Sequence, residues 1–94
     1  MDNELKIMRW DKLDMLTINK KDAGGNRLPF YLRYCKKDGG IIDQHNVLCT
    51  SVDHNKGLRT VRFLDTADAN GVAESRTLRD ILILQVDNFR IIKG

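Results

Sequence analysis

The sequence predicts an all-β domain, and three observations support this fold class. Short runs of apolar and β-branched residues alternate with turn residues along the chain. Hydrophobic residues make up 41% and charged residues 31% of the 94 positions, a composition typical of a globular rather than a disordered chain. No convincing helical periodicity extends beyond residue 12. We therefore expect a small antiparallel barrel, SH3-like as the first choice and OB-like as the second.

A barrel is favoured over the alternative, a compact sandwich, because closure removes the exposed strand edges that two small open sheets would leave. The predicted barrel domain covers residues 13–94, and residues 1–12 precede it as an arm or short helix. The apolar residues of this arm fit a helical stripe, but Leu5 and Ile7 also fit the alternation of a strand. Trp10 is the only tryptophan, and it would either cover the core or contact a partner.

Two strands are predicted in the first third of the domain. Residues 13–20 form the first strand, with Leu16 and Ile18 facing inward, and a glycine-containing loop follows at residues 21–27. Pro29 then opens the next strand, because proline is tolerated at the first position of a strand.

The next hairpin is predicted to turn at Gly39-Gly40. This turn gives three cross-strand pairs, which are Lys36 with Asp43, Leu32 with Val47, and Phe30 with Cys49. One face of the hairpin then carries Phe30, Leu32, Tyr34, His45, Val47 and Cys49. The other face carries Tyr31, Arg33 and Cys35, so the two cysteines lie on opposite faces and should not form a disulfide.

Asn70-Gly71 is the strongest signal for a two-residue hairpin turn in the chain. Used as the turn, it pairs Asp65 with Arg76, Phe63 with Leu78, and Arg62 with Arg79. Two arginines that face each other across strands destabilise a sheet. Either the register is different, or an acid such as Glu74 or Asp80 neutralises the pair, or the pair binds an anion.

The last hairpin is predicted with a two-residue turn at Asp87-Asn88, which pairs Val86 with Phe89. Residues 81–86 form an almost unbroken apolar run, too short for a typical helix, which predicts a central strand buried on both faces. Asp80 precedes this run and predicts a bend where the chain changes direction.

The cysteines and histidines do not form a known metal-binding pattern. Their spacing, C-x9-H-x3-C-x4-H over Cys35, His45, Cys49 and His54, lacks the tight ligand pairs of zinc sites. The sequence also contains no nucleophile elbow, Walker loop or dinucleotide-binding motif. We therefore expect no metal, no cofactor and no enzymatic activity.

Several basic and aromatic residues could instead contact a protein partner or a nucleic acid. Four arginines fall in one predicted hairpin, and arginine presents a planar fork that suits phosphate oxygens. A tyrosine and an arginine on another strand resemble the stacking and backbone contacts of single-strand binders. The predicted binding residues are Arg59, Arg62, Arg76, Arg79, Tyr31 and Arg33.

The charge of the chain is a weak indication of a polyanionic partner. The net charge is +3, and the basic residues are interleaved with acidic ones rather than collected in a tail. No apolar run approaches the length that spans a bilayer, and the N-terminus lacks the pattern of a signal peptide. We expect a cytoplasmic, non-enzymatic interaction module that binds a protein partner or its own copies, with nucleic-acid binding through the arginine-rich hairpin as the alternative.

Four segments together give the chain a family resemblance: Pro29-Phe30, Gly39-Gly40-Ile41-Ile42, residues 47–51 (Val-Leu-Cys-Thr-Ser) and residues 76–83 (Arg-Thr-Leu-Arg-Asp-Ile-Leu-Ile). With these segments, roughly residues 28 to 92 resemble small β-rich proteins of Bacteroidetes genomes that are encoded among prophage or mobile-element genes. The resemblance implies a bacterial cytoplasmic setting and an accessory or structural role in a mobile element. It implies no catalytic residues.

Overall fold

The computed structural model describes residues 5–93, and their strands form one sheet. The seven strands in these residues are β1 (Lys6–Arg9), β2 (Phe30–Cys35), β3 (Ile41–Asp53), β4 (Leu58–Phe63), β5 (Glu74–Arg79), β6 (Ile83–Val86) and β7 (Phe89–Ile92). The connections include a short helix, α1 (Leu13–Leu16), and 3-10 turns at Trp10–Lys12, Leu64–Thr66 and Asp80–Leu82. The strand order is β1-β7-β6-β2-β3-β4-β5, with β1 parallel to β7 and the other neighbours antiparallel.

The all-β class is confirmed, but residues 5–93 do not close into the predicted barrel. The long strand β3 pairs with β2 through its first half and with β4 through its second half. Both halves of the sheet contribute to a single core, since Val61 and Leu78 cluster with Ile83 and Ile91. β5 and β1 nevertheless remain the two edges of the sheet, because neither pairs with the other.

The two predictions for the N-terminal region require correction. Residues 6–9 form strand β1 rather than a helix, in line with the strand alternation of Leu5 and Ile7, and β1 pairs with β7. The predicted strand at residues 13–20 is wrong, because this segment begins with α1. Leu13 and Leu16 are both buried, and their spacing of three residues suits one turn of helix better than a strand.

The predicted register of the β2–β3 hairpin is also wrong. The Lys36 N–H donates to the Gly40 carbonyl at 2.7 Å, so the turn occupies residues 37–39, with Gly39 at a φ of 95°. A three-residue turn with glycine in the left-handed region is a common hairpin connection. As a result, Leu32 pairs with Gln44 rather than Val47.

An irregularity in β3 changes the face on which one predicted side chain lies. Asn46 has a φ of 53°, and the pairing of β2 with β3 shifts register at this point. A bulge adds one residue to a strand and so reverses the alternation beyond it. His45 is therefore exposed beside Tyr31, with 5.0 Å between the ring centroids, instead of sharing the buried face of Val47.

Strands β4 and β5 pair in a register four positions away from the predicted one. Asn70-Gly71 does form a local turn, in which the Asp68 carboxylate accepts hydrogen bonds from the N–H groups of Asn70 and Val72. This turn lies within a longer connection between the strands, and Arg62 faces Ser75 rather than Arg79. The first explanation for the facing arginines, a different register, is therefore correct.

The last hairpin is confirmed in its turn and its register. Val86 pairs with Phe89 across Asp87 and Asn88, and Asp87 has the positive φ of 50° that a tight hairpin turn requires. The predicted strand is too long at its start, because residues 80–82 form a 3-10 turn and Ile81 is 67% exposed. The strand is also not buried along both faces throughout, since Leu84 is half-buried.

The core is built from inward-facing residues of β2 to β7 and from α1. Its fully buried members include Leu32, Val47, Val61, Ile83 and Val86. Among the described residues, none of the helices is long and apolar enough to cross a membrane.

Candidate functional site

Arg59 lies in the core, where its guanidinium holds three parts of the chain together. It points inward from β4 and is 2% exposed. Its Nε and Nη2 donate to the two carboxylate oxygens of Asp80 at 3.0 and 3.1 Å. Its Nη1 donates to Thr17 Oγ1 at 2.8 Å and lies 2.9 Å from Asp14 Oδ1. The cluster therefore connects β4 to α1 and to the 3-10 turn at Asp80–Leu82.

The charges of this cluster are satisfied within the fold. Burial on its own would raise the pKa of Asp14, but hydrogen bonds from Arg59 and His54 outweigh it and hold that pKa below its ordinary value. Burial would lower the pKa of Arg59, yet the hydrogen bonds to Asp80 and Asp14 raise it above its ordinary value. Every buried side-chain nitrogen and oxygen among the described residues has a hydrogen-bond partner. Arg59 is thus a structural cation, and its guanidinium has no access to an external phosphate.

The other three arginines of the predicted hairpin do not all lie on one face of it. Arg62 is half-buried on the outer face of β4, opposite Ser75. Arg76 is exposed and forms an ion pair with Glu74, with Nε 2.8 Å from the carboxylate. Arg79 is exposed at the end of β5 and forms no ion pair within residues 5–93.

Tyr31 and Arg33 project together from the outer face of β2, as predicted, but both contact the same carboxylate. The Tyr31 hydroxyl donates to Asp43, and this hydrogen bond raises the pKa of the tyrosine. Arg33 Nε lies 3.7 Å from the same carboxylate. A negative charge at this position opposes the binding of a phosphate between the two side chains.

A groove opens along the free edge of β5, which we call the edge groove. Its volume is about 780 Å³. Its lining comes from β5 on one side and from the end of β2 and the turn that follows on the other. It is lined by residues 34–38 and 74–79, together with Leu58 and Leu82.

A second groove, which we call the Trp10 groove, adjoins the edge groove. Its volume is about 650 Å³. Leu58 and Arg79 line both grooves, so the two cavities are neighbours on one surface. The other residues that line the Trp10 groove are Trp10, Lys56, Gly57, Asp80, Ile81 and Lys93.

The excess positive charge of the protein is concentrated around these two grooves. Six of the sixteen lysines and arginines line them, but only three of the eleven acidic residues that the structure describes do. The other ten basic residues stand against eight described acidic ones, so the ratio of cations to carboxylates is highest at the grooves. Two of the three carboxylates are already paired with a cation of the grooves, Asp38 with Lys36 and Glu74 with Arg76. The third, Asp80, is held by Arg59.

Sequence reasoning identified Arg79 and Arg76 and considered Trp10 either as a cover for the core or as a contact for a partner, but it missed Lys56 and Lys93. Trp10 offered one signal, since a lone tryptophan in a segment outside the main strand pattern needs either a core or a partner. It is 47% exposed and is absent from the core cluster of the described residues, so it does not act as a cover for the core. Lys56 and Lys93 carried no signal, because their approach to Trp10 depends on the tertiary fold.

The cysteines and histidines lie in ordinary structural positions. Cys35 and Cys49 are both free, and burial raises the pKa of the Cys49 thiol, which disfavours the reactive thiolate. His54 Nε2 lies 2.8 Å from Asp14, at the exposed end of the Arg59 cluster. Within residues 5–93, no three His, Cys, Asp or Glu side chains are grouped so that they could hold a metal ion.

Comparison of the chain with known protein families, curated proteins and solved structures finds no match. The function must therefore be inferred from the chemistry of the chain itself. Two adjoining basic grooves beside a free strand edge are the feature from which we infer it.

Proposed function

We propose that the chain is a non-enzymatic interaction module, and that its partner is an acidic protein segment which adds to β5 as a further strand. The free edge of β5 carries this proposal. An edge strand presents unpaired N–H and C=O groups at alternate residues, and an extended peptide can pair with them. β5 is six residues long, which is enough for such pairing.

The edge groove supports this mode of binding, because it leaves room beside β5 for the side chains of an added strand. Lys37 and Arg79 line the groove and form no ion pair among the described residues. Their charges favour a partner with carboxylates at alternate positions, because complementary charge selects the partner and its register.

Two matched peptides test the proposal. A ten-residue peptide that alternates valine with glutamate should bind, whereas the same peptide with lysine in place of glutamate should not, because only the first complements Lys37 and Arg79. Amide hydrogen exchange should then show new protection within Glu74–Arg79, since the outward N–H groups gain partners. Equal binding of both peptides, or protection confined to other strands, would contradict strand addition at β5.

A second copy of the chain is the other occupant that the free edge could accept. Size-exclusion chromatography with light scattering distinguishes this case, because pairing of two β5 edges doubles the mass without any peptide. A concentration-dependent dimer whose β5 amides are protected would replace the acidic segment with a second copy as the partner.

Two finer assignments are part of the same proposal. We favour an SH3-like arrangement over an OB-like one, because the meander from β2 to β5 is followed by a 3-10 turn and by β6, which returns to pair with β2. The family resemblance further supports a cytoplasmic role as an accessory or structural component of a bacterial mobile element.

Nucleic-acid binding is a second candidate function, favoured by the charge excess at the two grooves. The candidate residues differ from those expected from the sequence, because Arg59 is buried and Arg62 does not line either groove. The signature of this function is an affinity for oligonucleotides that falls steeply as the salt concentration rises, since bound phosphates release their counterions.

A further inference from the structure

Trp10 lines the Trp10 groove with a side chain that a ligand can reach. It begins the 3-10 turn that follows β1, and nearly half of its surface is exposed. Ile81, which is more exposed still, lines the same groove together with Leu58. Covering such apolar surface lowers the free energy of the system, and an indole ring can stack against another flat ring.

Three cations surround this apolar surface, and each comes from a different part of the chain. Lys56 lies in the turn between β3 and β4, Arg79 ends β5, and Lys93 follows β7. Within residues 5–93, Lys56 and Arg79 form no ion pairs. Among the described residues that line the groove, Asp80 is the one carboxylate, and both of its oxygens accept hydrogen bonds from Arg59. The groove therefore favours an anion.

A flat ring joined to a phosphate is the chemistry that matches both features. We propose that the Trp10 groove holds one nucleotide of a single-stranded nucleic acid, with its base stacked on Trp10 and its phosphates close to Arg79 and Lys56. The groove volume of about 650 Å³ lies within the range of small-molecule sites. Single-strand binders combine aromatic stacking with a basic track along the backbone in this way.

The edge groove explains why a single-stranded nucleic acid suits the site better than a free nucleotide. It begins at Leu58 and Arg79, which line both cavities, and it adds Lys37, which forms no ion pair within residues 5–93. A phosphate that follows the stacked nucleotide would therefore meet a further cation. This inference rests on the second candidate function, nucleic-acid binding, and assigns it a site.

The test uses the full chain and a twelve-residue thymidine oligonucleotide at about 20 mM salt, where electrostatic binding is strongest. Binding is followed by the anisotropy of a dye on the oligonucleotide and, separately, by the fluorescence of the protein. Because Trp10 is the only tryptophan, its fluorescence reports on this groove alone. We expect saturable binding by anisotropy and quenching of Trp10 with the same midpoint.

Three variants separate the contribution of stacking to the affinity from the contribution of charge. Trp10→Leu should weaken binding at least about fivefold while leaving its salt dependence unchanged, since stacking contributes without charge. Arg79→Gln should reduce the slope of log affinity against log salt by about one, because one phosphate contact is lost. Arg62→Gln makes the same change of charge in the same hairpin but outside both grooves, and it should leave the slope unchanged.

The outcomes distinguish the site from the function on which it rests. Binding by anisotropy without quenching, together with wild-type affinity of Trp10→Leu, would overturn the Trp10 site while nucleic-acid binding survives. An absence of binding by anisotropy would overturn both. If thymidine monophosphate quenches Trp10 at the same concentration as the oligonucleotide, the ligand is a free nucleotide rather than a single-stranded nucleic acid, and the proposal is overturned. Circular dichroism confirms that each variant remains folded, which the exposure of Trp10 and Arg79 leads us to expect.

Discussion

Arg59 and Arg79 lie in the same hairpin and have opposite surroundings. Arg59 pairs with Leu78 across β4 and β5, and Arg79 pairs with Leu58 at the neighbouring position. Successive residues of a strand point to opposite faces, so Arg59 enters the core and Arg79 faces the grooves. The first is enclosed by two carboxylates, whereas the second forms no ion pair among the described residues.

The difference shows that the partners of a cation, rather than its residue type, decide whether it stabilises the fold or remains free to contact a ligand. A buried charge is tolerated only when it is paired and fully hydrogen-bonded, which is the state of Arg59. An exposed arginine without a carboxylate partner stabilises the fold little and can contact a ligand. The following substitutions test this contrast by separating stability from binding.

Arg59→Met should have the largest effect on stability. It removes the guanidinium from Asp80 and Asp14 and leaves the buried Asp80 carboxylate without a counter-charge, which typically costs about 3–5 kcal/mol at a buried pair. Urea unfolding followed by circular dichroism measures the free energy of unfolding. Arg79→Met is the matched control at the exposed end of the hairpin. Equal stability of the two variants would contradict a structural role for Arg59.

Asp14→Asn should have an intermediate effect that depends on pH. Because the folded pKa of Asp14 lies below its ordinary value, the carboxylate contributes stability above about pH 4, and this contribution is lost as the pH falls through the folded pKa. We expect a loss of about 1–2 kcal/mol at neutral pH, since hydrogen bonds between the carboxylate and charged partners are replaced.

The pH dependence of Asp14→Asn is measured by urea unfolding at pH 7 and pH 3. The difference in the free energy of unfolding between wild type and variant should be smaller at pH 3, because that pH lies below the ordinary pKa of the carboxyl group and the stability contributed by the ionised carboxylate declines there. A difference that is the same at both pH values would show that packing around α1, rather than the ionised carboxylate, is responsible.

Arg79→Gln should have the smallest effect on stability. An exposed side chain away from caps and core typically changes the free energy of unfolding by less than about 0.5 kcal/mol. The same urea experiment applies, with Arg62→Gln as the comparison on the outer face of β4. A loss comparable to that of Arg59→Met would mean that Arg79 supports the fold, and would remove it as a binding residue.

The fold was predictable where neighbouring residues determine it. The Asp87-Asn88 turn joins its two strands directly, so the type of turn sets the register, and the predicted pairing was correct. Asn70-Gly71 is a stronger turn signal, but it lies inside a longer connection and does not set the register of β4 and β5. The register there follows the burial of Val61, Phe63 and Leu78 in the common core.

The candidate site was predictable only in part. Arg76 and Arg79 were expected among the binding residues, and both line the grooves. Arg59 was grouped with them because its residue type and position in the hairpin are similar. Its carboxylate partner Asp14 lies far away in the sequence, in a helix that was predicted as a strand. The burial of Arg59 could therefore not be anticipated.

The sequence by itself determined the all-β class, the short strands and the turn at Asp87-Asn88, because alternation and turn chemistry act between near neighbours. The tertiary structure alone decided which strands became edges, which arginine entered the core, and that Trp10 lies in one groove with Lys56 and Lys93. These features depend on contacts between distant segments, whose pairing is selected by the burial and charge balance of the whole chain.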